Sequence, residues 1–304
     1  YDTSLSTNFQ IDGYYLNKLD DHLQANFNFY QTTQQNEDNK KIPTVFPNIK
    51  YYTGEEIIGN NKNVKYYTGE GIIGNNKISG VYQFYNIFRD INTTTHSKMQ
   101  QKFSHELNLT KDIIKYNSKI DLKATIYNQF YNTESKLIET NEYHSGNLYR
   151  LFPIVSGNIS TPFKINNDKY NLTYTPNMQL VLSPGKSNSN KISNEDSSNN
   201  TFSINNSLNR YSGTDKLDNS KRINYGITIN NENLILELFQ SYEFTNNSNF
   251  HKENGNNDNL SDLLGSIEYQ KINNINYAFR YDVNDEYLKE QNINTKITNR
   301  YGIF

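Results

Sequence analysis

Few side chains in this sequence stand where they could do catalytic chemistry. Five histidines, His22, His96, His105, His144 and His251, occur singly. None has the close spacing that lets two imidazoles share a metal ion. Glu55-Glu56 is a carboxylate pair, but it lies in a duplicated segment whose second copy reads Glu70-Gly71, which argues against an acid–base couple. No GxSxG, Walker A or GxGxxG motif occurs, and there is no Cys. Thiol nucleophiles, thiolate metal sites and disulfides are therefore excluded. No cofactor is implied, and an enzyme is the least favoured class.

What does collect is charge. Asn194-Glu195-Asp196-Ser197 is followed by Asn209-Arg210-Tyr211-Ser212-Gly213-Thr214-Asp215-Lys216, then by Arg222 and Tyr225-Gly226. This run sets opposite charges close together beside a long polar stretch. Taken as residue types alone, it also reads as a solvated loop with ordinary Asx turns. Earlier in the chain Pro43 and Pro47 bracket Thr44-Val45-Phe46. Proline donates nothing to a ladder, so this element belongs at a strand start or an edge.

The elements that must position these residues are strands. Ile114, Tyr116, Ile120, Leu122, Ala124, Ile126 and Phe130 alternate with polar neighbours from Lys115 to Gln129. Successive strand side chains point to opposite faces, so such a run has one apolar and one polar face. The pattern returns at Leu23–Phe29, Met99–Leu109, Tyr170–Leu182, Ile223–Ile229, Leu234–Phe244, Leu263–Tyr269 and Ile275–Val283. About 14 such segments, typically about 8–12 residues long with one longer, match the ~9–11 residues of a membrane strand better than the ~5–6 of a soluble sheet. Asn230-Asn231 and Asn273-Asn274 supply tight turns. The polar stretches 31–41, 185–200 and 245–259 read as long mobile loops. One tandem duplication, 49–63 and 64–78, maps Tyr51 onto Tyr66. With two copies it lengthens a hairpin or loop and does not build a solenoid.

Composition fits that architecture. A mean hydropathy of −0.86 excludes spanning helices but not barrel strands, which show lipid only every second residue. Tyr 25, Phe 16 and Trp 0 suit interfacial rings, although AT-rich codon usage raises Tyr together with Asn, Lys and Ile. The net charge of −2 points to no nucleic acid and no anionic lipid surface. The expected fold is all-β, an antiparallel up-and-down transmembrane β-barrel. A porin, a nutrient channel or a soluble all-β surface protein shares every strand-level feature.

The ordered motifs narrow this. Pro43 to Pro47, then Asn194–Ser197, then Asn209–Lys216, then Tyr225-Gly226 resemble the barrel domain of the LptD family, with an alphaproteobacterial flavour, and Gln240-Ser241-Tyr242 and Ser261-Asp262 are similar too. The resemblance implies lipopolysaccharide assembly in the cell outer membrane. The glycolipid would arrive from a periplasmic bridge protein and pass between the first and last strands to the outer-leaflet lipid, in a large barrel plugged by an LptE-like lipoprotein. It implies for residues 1–304 a partial barrel domain: no jellyroll is visible, no leader precedes Tyr1, and the family continues past the equivalent of Phe304. It further implies that the two charged elements hold the lumen or loops in place by charge-assisted hydrogen bonds, for example Asp215 or Asp196 with Arg210. On that reading, loss of Arg210 impairs assembly more than transport.

Overall fold

A computed structural model describes residues 4–15, 21–32, 38–58, 73–167, 170–198, 207–245, 250, 255, 258–270, 274–296, 298–299 and 302–303. The strands are β1 (Ser4–Tyr15), β2 (Asp21–Thr32), β3 (Thr44–Ile58), β4 (Ile73–Phe88), β5 (Met99–Lys115), β6 (Ser118–Glu139), β7 (Glu142–Ser160), β8 (Phe163–Asn167), β9 (Tyr170–Leu182), β10 (Lys221–Asn230), β11 (Leu234–Glu243), β12 (Leu263–Tyr269), β13 (Asn274–Asp282), β14 (Tyr287–Lys296), β15 (Thr298–Asn299) and β16 (Gly302–Ile303). A single 14-stranded sheet takes up the first fourteen. It follows chain order from β1 to β14, with β8 beside β9 and off the main path. The pairings are antiparallel throughout. Among the described residues, no pairing joins β1 to β14. The all-β, up-and-down expectation is therefore met.

The sheet is inverted relative to a soluble one. On β5 and β6 the side chains Gln100, Lys102, Ser104, Thr125, Gln129 and Thr133 are buried. The opposite face exposes Phe103, Leu109, Leu122 and Phe130. Register carries that apolar face from strand to strand. Phe84 pairs with Phe103, Phe103 with Phe130, and Phe130 with Tyr149, and the exposed Leu151, Val155, Met178, Leu180, Ile267, Ile275 and Ile293 continue it. A contiguous apolar face of this size is a surface made for lipid, since soluble proteins expose at most a few hundred Å². Between the rows of Phe103 and Ile113 lie roughly ten residues of β5. That is about 33 Å of strand at ~3.3 Å per residue, or about 25 Å of height at a tilt of ~40°, the height of an outer-membrane apolar band.

Two details differ from the sequence expectation. The run from Ile114 to Phe130 is not one strand. Tyr116 and Asn117, with φ of 51° and 62°, turn the chain between β5 and β6. Ile114 pairs with Lys119 and Ile113 with Ile120, so Ile114 lies on the face opposite Ile120. A two-residue turn leaves the alternation intact in sequence while exchanging its faces in space. In addition, β3 to β7 span 15 to 22 residues, longer than 8–12, because pairing continues past the apolar belt, where both faces are polar and periodicity fades.

One end of the sheet has short links: Tyr116-Asn117, residues 161–162 and residues 231–233. At the last of these, Asn231 Oδ1 accepts from Asn233 N and Leu234 N. Asn230 thus closes β10 and Asn231 carries the turn. Asn274 opens β13, and Asn273 lies outside the described residues. The other end carries the long links 89–98, 183–220 and 244–262 beside the two-residue link 140–141. The duplicated segment forms facing arms of the β3–β4 hairpin, with Glu56 opposite Ile78 and Ile58 opposite Asn76; residues 59–72 lie outside the described residues.

Candidate functional site: a charged arm on the inner face

Residues 183–220, between β9 and β10, form an arm whose described part lies against the buried face of the sheet. The expected solvated loop is in fact substantially interior. Ile192, Ser193, Ser197, Tyr211, Asp215, Leu217, Asp218 and Ser220 are buried. Leu217 seats among Tyr127, Phe152, Ile154 and Val181, with Leu208 packed beside it. That apolar plug fixes the height at which the polar part of the arm meets the strands.

The polar part meets a row set by register. Tyr85 on β4 pairs with Lys102 on β5, and Lys102 pairs with Tyr131 on β6. The Lys102 ammonium lies 5.0 Å and 5.9 Å from the two ring centroids, close enough for cation–π attraction. It is fully buried and donates to Asp196 Oδ2 at 2.6 Å and Asp215 Oδ1 at 2.9 Å. Asp215 Oδ2 accepts from Tyr85 OH at 2.8 Å and from the backbone N–H groups of Glu195 and Asp196. Asp196 Oδ1 accepts from Ser197 Oγ and from the Thr214 and Asp215 N–H groups. The two motif segments are thereby laced to each other as well as to β5. A Cβ on Gly213 would stand 2.3 Å from the Asp196 carbonyl oxygen, so only glycine permits the approach.

Further contacts clamp the same arm. Arg89 forks onto Glu195 at 2.9 and 2.7 Å. Gln100 exchanges two hydrogen bonds with the Ser193 backbone. Arg150 donates to the Asp215 carbonyl, Tyr131 OH and Gln129 Oε1. Burial works against the Glu195 carboxylate, yet Arg89, with His96 and Ser193, holds it down at about 2. Burial likewise opposes Asp196, and the Lys102 charge brings it to about 2. Asp215 moves the other way: complete burial pushes its carboxyl up, against the pull of Lys102.

Arg210 does not meet Asp215 or Asp196. It donates to Asp218 Oδ2 at 2.6 Å and Glu243 Oε2 at 3.1 Å, while Arg222 reaches Asp218 at 2.9 Å. Burial lowers the Arg210 guanidinium, and the Asp218 and Glu243 charges more than restore it. Its plane lies 4.7 Å from the Phe250 ring, which stacks on Tyr211. Asn209 and Asn194 close local turns, Asn209 Oδ1 accepting from Tyr211 N and Asn194 Oδ1 from Ser197 N, and Asn209 Oδ1 also accepts from the more distant Asp218 N. The other motif residues stand apart from this cluster. Pro43 immediately precedes β3, and Pro47, after a cis peptide bond, sits at a register shift. Tyr225 lies on the outer face with its hydroxyl on Gln240, and Gly226 admits the Leu238 carbonyl, 2.5 Å from where a Cβ would be. Lys102, Arg89, Arg150, Asp218 and Glu243 carry no sequence signal beyond polar alternation.

A family model described as "LptD: LPS transport system D" matches residues 2–304. The chain belongs to the LptD family. No curated protein sequence matches it. LptD proteins transport lipopolysaccharide in the outer membrane, and the apolar outward face of this sheet fits that place. Among the described residues, no group of His, Asp and Glu could hold a metal ion. Within this LptD chain the contacts of Glu195 with Arg89 and of Asp196 and Asp215 with Lys102 join the β9–β10 arm to the interior face.

Proposed function

We propose that this sheet walls a lipopolysaccharide conduit. The glycolipid arrives from a periplasmic bridge protein, its sugars move along the polar inner face, and its acyl chains leave through the wall into the outer leaflet. The single observation that carries this is the inversion of the sheet within a family of lipopolysaccharide transporters, polar and charged inside, apolar outside. The charged arm narrows one end of that interior, and an LptE-like lipoprotein fills the remainder. Among the described residues β1 and β14 are the edges of the sheet, and an edge with free backbone groups cannot face hydrocarbon. We therefore read residues 1–304 as a portion of a larger barrel domain, with further strands covering those edges.

Depletion of the protein in its own cells tests this. Lipopolysaccharide at the cell surface, measured by antibody accessibility, should fall while total lipopolysaccharide does not. Unchanged surface lipopolysaccharide together with a lost ion conductance would instead make the protein a diffusion channel.

A further inference from the structure

A cavity of about 690 Å³ opens beside the arm, between residues 94–96, the end of β6 and residues 188–194 and 211–216. Its size is that of a small-molecule site, ~300–1,000 Å³. Two lysines line it, Lys136 and Lys216. Lys136 is buried, and its ammonium donates to the Leu137 carbonyl. Among the described residues, no carboxylate lies within ion-pairing distance of either lysine. Glu195, whose charge reaches Lys136, is already held by Arg89. A buried ammonium without a counter-ion is costly unless something supplies one.

The backbone places Lys136 there deliberately. The inner-face residues of β6 are Gln129, Tyr131 and Thr133, all at odd positions. Ser135, at φ 54°, marks a register shift against β7 between Thr133 and Lys136. That bulge reverses the alternation and turns Lys136 inward, where regular pairing would face it out. Bulges that re-aim a side chain, and non-glycine residues at positive φ, concentrate at functional positions.

We infer that this cavity binds a phosphorylated sugar. Two lysine side chains lining one cavity suit a phosphate dianion. Thr95 and Asn190 offer hydroxyl and amide partners, and Tyr211 an aromatic wall. The lysines alone call for the phosphate, whereas the sugar rests on the transport reading above. The site would hold a phosphorylated core sugar of lipopolysaccharide at the long-loop end of the inner face.

Calorimetry on the full-length protein in detergent tests it. The probes are a phosphorylated core oligosaccharide cut from lipopolysaccharide, the same oligosaccharide after phosphatase treatment, and inorganic phosphate. The phosphorylated form should bind, and phosphatase treatment should weaken it about ten-fold or more. Lys136→Met and Lys216→Gln should each do the same, and Lys136→Arg should restore binding. The treated and untreated oligosaccharides need no variant, so misfolding cannot mask the result. Equal binding of the two, no binding of either, or binding indifferent to both substitutions overturns the site. Inorganic phosphate binding as tightly as the oligosaccharide overturns the sugar. If surface lipopolysaccharide still depends on the protein while the oligosaccharide fails to bind, this site falls and the transport reading stands.

Discussion

Lys102 on β5 and Asp215 on the arm meet at 2.9 Å with neither side chain reaching solvent, although 113 residues separate them in the chain. Asp196 shares the same ammonium at 2.6 Å. One cation thus joins the sheet to both halves of the arm.

Removing that cation should be more damaging than removing the whole cluster. Lys102→Met leaves the buried Asp215 and the partly buried Asp196 carboxylates without a counter-charge, at a cost of about 3–5 kcal/mol. Adding Asp215→Asn and Asp196→Asn should recover much of the loss. Thermal unfolding in detergent measures both; a triple variant less stable than Lys102→Met would contradict the assignment.

Arg210 should couple to Asp218 and not to Asp215. In double-mutant cycles on unfolding free energy, Arg210→Ala with Asp218→Asn should show a coupling of about 0.5–3 kcal/mol, and Arg210→Ala with Asp215→Asn close to none. Arg210→Ala should also lower the amount of assembled protein more than the lipopolysaccharide delivered per assembled molecule.

Gly213→Ala forces a methyl group against the Asp196 carbonyl. The arm must shift, costing about 1–3 kcal/mol. Faster proteolysis within residues 194–216, with the strands still protected, is the expected result.

Acid should loosen the arm before it melts the sheet. Glu195 and Asp196 have folded-state values near 2, below the ordinary 4.5 and 3.8. Their stabilisation is complete above about pH 4.5 and is lost as pH falls towards 2. Hydrogen exchange of residues 194–198 should stay flat from pH 7 to 5 after correction for intrinsic rate, then rise. Arg89→Gln should move that rise to higher pH, because the Arg89 fork helps to hold Glu195 down.

Ile126 pairs with Leu107 in the middle of the outward belt. Ile126→Arg should cost about 2–4 kcal/mol in a bilayer, the charge being at midplane depth. The same change at Tyr116, in a turn, should be nearly neutral. Equal effects at the two positions would place the belt elsewhere.

Alternation along the chain was enough to show an all-β sheet of about this many strands with one apolar face, because a strand's period of two is a local property of the backbone. The motif order was enough to indicate the family. Partners were another matter. Lys98 and Lys102 are the same residue type four positions apart, Lys98 just before β5 and Lys102 on it, yet Lys98 is half exposed beside Glu134 and Lys102 is sealed between two tyrosines. The exchange of faces at Tyr116-Asn117, the reversal of parity at Ser135 and the pairing of Arg210 with Asp218 likewise left no local mark. Each depends on register between strands and on the path of the arm across them. Register and path follow from the sum of all pairings and from the seat of Leu217 in the inner apolar patch, which no single stretch of sequence contains. The residue types determined which face meets lipid; only the tertiary structure decided which charge meets which.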